Sequence, residues 1–441
     1  MRRVVMWSTD PVGERMAGPG IRYHRLSTEL ARRFAVTLVA PGEGLADSPY
    51  TFRPATSVRS AADLDADVVV AQGLPLGLAR GLRRSGVRLI FDLYAPALVE
   101  AAAELAEERA PGRQGIRYEE VVAITRVALL IGDAFLCASE RQRDHWLGAL
   151  AALGRVTPET YAADPALGSL VAIVPFGLEP VAPGTGRKVA KGVLPGIGPT
   201  DRLLLWGGGI WNWLDPFTVI RAVARLAEGR DDVKLLFLGV AHPSAAVGTM
   251  GMADRAVALA AELGLEGRAV FFNRAWVPYG ERLEWFAEAD LGVSAHRDTV
   301  EARLAYRTRL LDHIATATPL VVTRGDVLAD LAESRGMGRV VDPGDVDGWV
   351  AALAELLDDD DAYATARAAV SAAQDELRWE RVAEALAELV ERVASSPRRD
   401  TSENAAFVRA ALTLARSSVQ RRGIRATVAA AARAVSSGSQ R

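Results

Sequence analysis

Residues 296–319 carry the side chains of this sequence best suited to binding phosphate and hydroxyl groups. Between an apolar run and an apolar turn lie His296, Glu301, Arg303, Arg307 and Arg309. Guanidinium groups match phosphate oxygens in a two-pronged geometry, and a carboxylate can grip vicinal hydroxyls through paired hydrogen bonds. A solvated helix face would also carry charges, but Arg-x-Arg-x-x-Asp directly before an apolar turn is more ordered than such a face requires. We therefore predict a ligand site in this segment.

Two glycine-rich segments also follow apolar runs. The first is Gly18-Pro19-Gly20, and the second is Gly207-Gly208-Gly209. Glycines let the backbone approach a ligand closely, and the amino end of a following helix attracts anions. Gly18, Gly20, Gly208 and Gly209 are therefore candidate phosphate contacts, although a purely structural turn is an alternative reading of the first segment. Neither segment matches the dinucleotide fingerprint Gly-x-Gly-x-x-Gly or a P-loop.

Trp211 and Trp213 follow the second glycine segment. Aromatic rings pack against the apolar C–H surface of sugars, so the pair could cover a sugar. Equally, the two rings could cap the core of the domain.

Short apolar runs alternate with helical patterns along the chain, which is typical of βαβ units and a parallel sheet. Predicted strands of the first half cover residues 4–7, 36–40, 68–71, 88–92, 134–138 and 171–175, and those of the second half cover residues 203–206, 233–238, 270–272, 291–295, 320–323 and 338–341. A Gly- and Pro-rich break separates the two series at residues 177–187. The pattern predicts an α/β protein of two doubly wound domains. Ligands of such sheets bind beyond the carboxyl ends of the strands, where the candidate residues lie.

Composition limits the class of protein. The 441 residues include 50% hydrophobic and 24% charged residues, with a net charge of −3, which is typical of a globular protein without general attraction to nucleic acid. The single cysteine, Cys137, excludes an intramolecular disulfide and is expected to be buried as a small apolar residue. No signal-peptide core or apolar stretch of membrane-spanning length is evident, so we expect a cytoplasmic protein. No cluster of metal ligands is evident, and neither a metal nor a cofactor is expected.

The carboxyl-terminal part changes character. A long amphipathic helix is predicted around residues 379–394. Beyond residue 395 the tail is rich in Arg, Ala and Ser, with only Asp400 and Glu403 as acidic residues. This tail is either a poorly ordered extension or one or two amphipathic helices. As helices it would form a contact with a partner or with the inner face of a membrane.

The sequence resembles the retaining GT-B glycosyltransferases of family 4, the glycosyl transferases of group 1, from residue 1 to about residue 394. The markers are the Gly18-Pro19-Gly20 turn, Val174-Pro175-Phe176-Gly177-Leu178-Glu179, the Trp206-Gly207-Gly208 opening and residues 310–321, Leu-Leu-Asp-His-Ile-Ala-Thr-Ala-Thr-Pro-Leu-Val. Trp276-Val-Pro-Tyr279 and Arg-x-Arg-x-Leu-Asp are similar to a subgroup from bacterial surface-polysaccharide clusters.

The resemblance implies two Rossmann-like domains facing a cleft. The first, residues 1–178, would bind the acceptor, and the second, residues 179–375, would bind the nucleotide-sugar. A crossover helix would follow at residues 376–395, and the basic tail would occupy residues 396–441. The implied partners are a nucleotide-sugar and an acceptor glycan, lipid-linked sugar or small molecule, and no nucleic acid.

In the family, the carboxylate at the position of Asp312 in the segment 310–321 binds the ribose of the nucleotide. The resemblance therefore implies that Asp312 binds the ribose hydroxyls. The family separates two glutamates by seven residues, and counting back eight positions from Asp312 gives Leu304. Glu301 could therefore correspond to the first of these two glutamates, near the reacting sugar, only if the loop between Glu301 and Asp312 is three residues longer than usual. His296, by its position after a predicted strand, is a further candidate for contact with the donor.

Two other family residues have no direct match. The diphosphate-binding lysine has no counterpart after the glycine turn, so Arg307 or Arg309 would replace its charge. Asp92, after an N-terminal strand, stands where many members carry a histidine, and is the candidate catalytic residue on the acceptor side.

These departures leave two other functions open. The first is a non-catalytic nucleotide-sugar-binding subunit on the same fold, and the second is a nucleotide-sugar epimerase on a similar two-domain fold.

Overall fold

Two parallel β-sheets form the framework of the protein in a computed structural model that describes residues 1–107, 114–179, 187–239, 251–397 and 404–422. The first sheet has seven strands, β1 (Arg3–Trp7), β2 (Ala35–Ala40), β3 (Thr51–Pro54), β4 (Val68–Ala71), β5 (Arg88–Asp92), β6 (Ala134–Cys137) and β7 (Val171–Ile173). The second has six, β8 (Arg202–Gly209), β9 (Val233–Gly239), β10 (Val270–Phe272), β11 (Leu291–Ser294), β12 (Leu320–Thr323) and β13 (Gly338–Val341).

Helices cover the faces of both sheets. Those of the first half are α1 (Gly18–Leu30), α2 (Leu76–Arg84), α3 (Ala97–Glu107), α4 (Gln114–Ile131), α5 (Glu140–Ala152) and α6 (Pro158–Ala163). Those of the second half are α7 (Pro216–Leu226), α8 (Gly251–Glu262), α9 (Arg282–Ala287), α10 (Val300–Leu304), α11 (Arg309–Ala315), α12 (Val327–Arg335), α13 (Val346–Asp358), α14 (Asp360–Ala373), α15 (Trp379–Ser395) and α16 (Asn404–Arg422).

The strand order places the candidate site residues at the ligand-binding edges. The first sheet runs β3-β2-β1-β4-β5-β6-β7 and the second β10-β9-β8-β11-β12-β13, so the order reverses beside β1 and beside β8. Ligands of doubly wound sheets bind in the crevice outside these reversal points. The loop after β1 leads to α1, the last three residues of β8 are the second glycine segment, and the charged segment follows β11.

All twelve predicted strands are present, with ends that differ by up to three residues. The additional strand, β3, pairs only with β2 at the sheet edge and is at most half-buried. An edge strand with this exposure needs no continuous apolar run, so hydrophobic patterning does not indicate it.

Two local expectations were wrong. The sequence Gly18-Pro19-Gly20 forms the first turn of α1, with proline in a first-turn position where its missing N–H is tolerated, and it does not form a turn before the helix. After the second glycine segment no helix follows at once. Helix α7 begins only at Pro216, where the Asp215 side chain accepts a hydrogen bond from the Thr218 amide.

Helix α15 follows the second sheet in sequence but packs on the first. The Leu178 amide donates to the Leu377 carbonyl at 2.7 Å, which joins the segment after β7 to the segment before α15. The rings of Phe176 and Trp379 lie 5.0 Å apart. A side chain at residue 177 would meet the Trp379 ring at 2.5 Å, so glycine is required there. The last helix before the tail therefore ties the second half of the chain back to the first.

The described part of the basic tail is helical. Helix α16 packs along α4, with Phe407 and Ala410 buried in the core of the first sheet, and Ser417 donates to the Glu120 carboxylate. Val408 and Leu412 lie on its exposed side. Residues 398–403 and 423–441 lie outside the described residues. Within the described ranges no helix is long and apolar enough to cross a membrane.

Candidate functional site

Arg309, at the start of α11, lies against the second glycine turn. Its Nη1 donates to the Gly209 carbonyl at 2.8 Å and to the Gly207 carbonyl at 3.2 Å. Gly208 has a φ of +83°, which allows the turn, and a side chain at residue 207 would meet Phe286 at 2.5 Å. The turn therefore orients an arginine through its carbonyl groups. The sequence had suggested a different use, with the backbone of Gly208 and Gly209 facing phosphate. Those two phosphate contacts remain predictions.

In the part of the chain that the structure describes, the charge on Arg309 has no anionic partner. Burial and, to a smaller extent, the neighbouring positive charge of Arg307 lower the pKa of its guanidinium to about 9. Across the described ranges, no carboxylate forms an ion pair with Arg309. A half-buried cation held only by carbonyl groups favours an anionic ligand, because the attraction is strong where water is scarce.

The amino end of α1 faces this region from the other half of the molecule. A side chain at residue 18 would lie 3.8 Å from the Thr308 hydroxyl, next to Arg309. Gly20 fits closely over the preceding loop, because a Cβ there would lie 2.2 Å from the Pro11 carbonyl oxygen. The first turn of a helix carries unpaired amide groups that attract anions. Gly18 of the first half and Arg309 of the second half therefore lie close together, and we call the contact region between the two halves the seam. Direct ligand contacts by Gly18 and Gly20 remain predictions.

Glu301 and Arg307 form a buried ion pair. Both carboxylate oxygens of Glu301 accept from the Arg307 guanidinium, at 2.9 and 2.7 Å, and Glu301 is only 1% exposed. Helix α10, which begins behind the Thr299 cap, holds Glu301 in place. In this conformation Glu301 positions Arg307. A catalytic role for Glu301 and a ligand contact for Arg307 remain predictions.

His296 belongs to the same buried group. Its Nδ1 lies 3.1 Å from the Arg297 carbonyl, and its Nε2 lies 3.4 Å from Asp326. Asp326 caps α12 by accepting from the Leu328 and Ala329 amides. His296 is 1% exposed, so its predicted donor contact would require the loop to open. Asp326 escaped the sequence reasoning, although a charged residue shortly after a predicted strand was a usable signal.

Asp312 is half-buried and is held by an arginine that the sequence reasoning missed. The Arg282 guanidinium donates to both Asp312 oxygens, at 3.1 and 3.3 Å. Arg282 also lies 3.6 Å from Glu179, which accepts from Arg25 and Tyr279. Burial raises the pKa of Asp312, and Arg282 opposes that shift. The ribose contact of Asp312 remains a prediction. A ribose hydroxyl would have to share the Asp312 oxygens with the Arg282 guanidinium.

Asp92 is withdrawn from solvent in a buried ion pair, and its catalytic role on the acceptor side remains a prediction. Its side chain and that of Arg22 are both 0% exposed, and their closest atoms are 2.7 Å apart. Arg22 also donates to the carbonyls of Val174 and Pro175. The pair joins α1, β5 and the segment after β7. Its position inside the first core explains why a charged residue ends an otherwise apolar strand.

The two tryptophans after the glycine turn stack on each other. Their ring centres are 5.4 Å apart and the planes differ by 5°. Both are half-buried and pack against the core of the second sheet. Of the two readings left open by the sequence, the arrangement favours capping of the core.

A separate cleft of 760 Å³ opens between α5 and the loops after β11 and β12. Its lining mixes positive and negative side chains, including Arg141, Asp144, Asp298, Arg303 and Arg324. None of the predicted donor residues lines it. In the described parts of the chain, no group of three or more His, Cys, Asp or Glu side chains is placed to hold a metal ion.

The fold and the paired strand orders define a GT-B protein. The chain is similar to WaaG, a glycosyltransferase involved in lipopolysaccharide biosynthesis, with a TM-score of 0.63 and 18% identity over 88% of this chain and 100% of WaaG. It is also similar to HepE from Anabaena in complex with UDP and glucose, with a TM-score of 0.61 and 13% identity over 89% of this chain and 100% of HepE. At these identities the similarity concerns the fold.

The family is indicated by the second half of the chain. Residues 201–359 match the family model described as Glycosyl transferases group 1. The resemblance to the glycosyl transferases of group 1 is thereby confirmed for that segment, while the retaining family 4 and surface-polysaccharide assignments remain predictions. A D-inositol 3-phosphate glycosyltransferase from Corynebacterium urealyticum is 30% identical over 244 residues, which cover 53% of this chain and 54% of the relative. The match thus spans about half the length of this curated relative.

Proposed function

We propose that this protein transfers a sugar from a nucleoside-diphosphate-sugar to an acceptor hydroxyl, with retention at the anomeric carbon. The observation that carries the proposal is Arg309, a partly buried guanidinium with no described carboxylate partner, held at the glycine turn of a GT-B fold. The glycosyl transferases group 1 match and the UDP and glucose complexes of HepE support a nucleotide-sugar donor. The acceptor would be a glycan, a lipid-linked sugar or a small polyol.

Arg309 would act on the leaving group. The bond between the anomeric carbon and the diphosphate breaks with negative charge developing on the departing oxygen. A fixed cation in a water-poor site stabilises that charge, and loss of one such group costs about 10²–10³-fold in rate. The amino end of α1, beside Thr308, would add a favourable field from the other side of the seam.

Asp312 and Arg282 would hold the other end of the donor. With Arg282 neutralising its charge and fixing its orientation, the Asp312 carboxylate could accept hydrogen bonds from the ribose hydroxyls. The Asp312 side chain keeps 19% of its surface exposed, so a ligand can reach it.

The test compares nucleotide binding and turnover in Arg309 variants. UDP binding is measured by calorimetry, and release of nucleoside diphosphate is measured with a panel of nucleotide-sugars and saccharide acceptors. We expect Arg309→Ala to weaken UDP binding and turnover by about 100-fold, and Arg309→Lys to retain part of both. Arg335→Ala is the matched control, because Arg335 forms an exposed ion pair with Glu376.

Unchanged UDP affinity in Arg309→Ala would overturn the phosphate assignment. Nucleotide binding by the wild type without turnover of any donor would instead favour a non-catalytic nucleotide-sugar-binding protein.

A further inference from the structure

Glu179 connects the two halves of the molecule through its side chain. It follows Leu178 in the segment that joins them and is 7% exposed. One carboxylate oxygen, Oε2, accepts from Arg25 Nε of α1 at 2.8 Å and from the Tyr279 hydroxyl at 2.7 Å. Arg25 Nε also lies 2.9 Å from that hydroxyl. The same oxygen therefore holds one residue of the first half and one residue of the second.

The other oxygen of Glu179, Oε1, is buried without a hydrogen bond in the described part of the chain. Arg282 Nη2 lies 3.6 Å from this oxygen, just beyond hydrogen-bond distance. Burial by itself would raise the pKa of Glu179, but Arg282 and Arg25 lower it below its ordinary value, so the carboxylate is charged. A buried charged oxygen without a donor is costly, so one favourable bond is left unmade in this conformation.

Arg282 lies between two carboxylates and donates to only one of them. Its Nε and Nη2 bond to Asp312 at 3.1 and 3.3 Å. Its Nη1 donates to the Tyr279 carbonyl at 2.9 Å, and its guanidinium lies 4.3 Å from the centre of the Tyr279 ring. These contacts keep the guanidinium in place between the two acids. A shift of under about 1 Å would bring Nη2 within hydrogen-bond distance of Glu179.

We propose that Glu179 is a positioning residue that takes up Arg282 when the ribose of the donor occupies Asp312. The inference rests on the proposed function. Ribose hydroxyls that donate to Asp312 compete with Arg282 Nη2 for the same oxygens, and the displaced Nη2 then meets the free oxygen of Glu179. The second half thereby gains a bond to the carboxylate that already holds Arg25 of α1. Since the first turn of α1 lies beside Thr308, occupancy of the ribose site helps to align α1 with the diphosphate end of the donor.

The experiment measures, by calorimetry, the binding of UDP and of the UDP analogue that lacks both ribose hydroxyls. Wild type should bind UDP at least about 30-fold more tightly, because the analogue loses hydrogen bonds to a charged group. Glu179→Gln should reduce this ratio about tenfold, since the displaced Arg282 no longer meets a charged acceptor. Tyr279→Phe is the matched control, because it removes a donor from the same network and leaves Glu179 charged. Its ratio should stay within about twofold of that of wild type.

The ratio separates this role from a structural one, because a loss of stability alone weakens the binding of both ligands alike. In an Asp312→Asn background, Glu179→Gln should not change the ratio further, since the displacement begins at Asp312. If Glu179→Gln keeps the wild-type ratio, or if Tyr279→Phe lowers it to the same extent, Glu179 does not receive Arg282. An undiminished effect of Glu179→Gln in the Asp312→Asn background would also overturn the role.

Failure of the proposed function looks different. If wild type binds UDP and the analogue equally well, the ribose does not occupy Asp312 and this inference fails, while the diphosphate assignment is still decided by Arg309→Ala. If wild type binds neither ligand, the proposed function itself fails.

Discussion

Replacing Asp92 should mainly lower the stability of the fold, and any loss of turnover should follow from that. Asp92 accepts from Arg22 at 2.7 and 3.2 Å and from the Tyr94 amide at 3.2 Å, with no exposed side-chain surface. Asp92→Ala leaves the Arg22 charge buried with only two carbonyl partners. Breaking a buried pair in this way costs about 3–5 kcal/mol, so the free energy of unfolding should fall by that amount. For a domain of ordinary stability, that loss is a large fraction of the whole free energy of unfolding.

Urea unfolding followed by circular dichroism measures the effect. A double variant, Arg22→Met with Asp92→Leu, should recover most of the loss, because it removes both charges and leaves an apolar contact of similar size. The control is Glu376→Ala, which breaks an exposed pair and should cost about 1 kcal/mol or less. If Asp92→Ala unfolds at the same urea concentration as wild type and yet abolishes turnover, the structural assignment fails and a catalytic role for Asp92 is supported.

Three further predictions concern the core. Folding lowers the pKa of the buried His313 to about 3, so its stabilising contribution is complete above about pH 6.5 and is lost as the pH falls. By pH 5 about 2 kcal/mol should be gone in urea titrations, and His313→Leu should remove that part of the pH dependence. Cys137 is fully buried with its thiol pKa raised to about 12, so iodoacetamide should alkylate it at least about 100-fold more slowly in native protein than in urea. Gly20→Ala should cost about 1–3 kcal/mol of unfolding free energy, because its Cβ would meet the Pro11 oxygen, whereas Gly77→Ala, with open space around it, should be neutral or stabilising in the same assay.

The sequence predicted the strands well because both sheets are buried on two faces. Runs such as those of β4 and β6 are wholly apolar and buried, and such runs are visible without knowledge of tertiary contacts. Strand β3 was missed because an edge position lets polar residues into a strand. The second glycine segment was located correctly at a strand end, whereas the first forms the first turn of α1. Their conformations were not predictable, since they depend on what packs against each glycine, such as Pro11 at Gly20.

The candidate site shows a different limit of sequence reasoning. Residue type and position after a predicted strand led to the choice of Arg307, Arg309 and Asp312, and the last two lie in α11. Their ligand contacts remain predictions. Pairing could not be predicted, because the partners are far apart in sequence: Arg282 is 30 residues from Asp312, and Arg22 is 70 residues from Asp92. A charged residue that ends a buried strand looks the same in sequence whether it faces a substrate or a buried arginine.

The contrast between Arg22 and Arg309 leads to a final prediction. Both arginines are withdrawn from water, but only Arg22 has a carboxylate partner in the described structure. Folding lowers the pKa of Arg309 to about 9, which means that the folded state disfavours its charge. Arg309→Met should therefore raise the free energy of unfolding by about 1–3 kcal/mol, after the loss of its carbonyl bonds, whereas Arg22→Met should lower it.

Nucleotide should reverse the order of stability. With UDP at about 1,000 times its Kd, the wild type should gain about 4.1 kcal/mol, while Arg309→Met should gain almost none. Urea unfolding of both proteins, with and without UDP, measures these changes. A destabilised Arg309→Met that still responds fully to UDP would refute the reasoning, because Arg309 would then serve the fold as Arg22 does. A more stable variant without a UDP response would mean that the protein keeps an unfavourable buried charge because the diphosphate neutralises it.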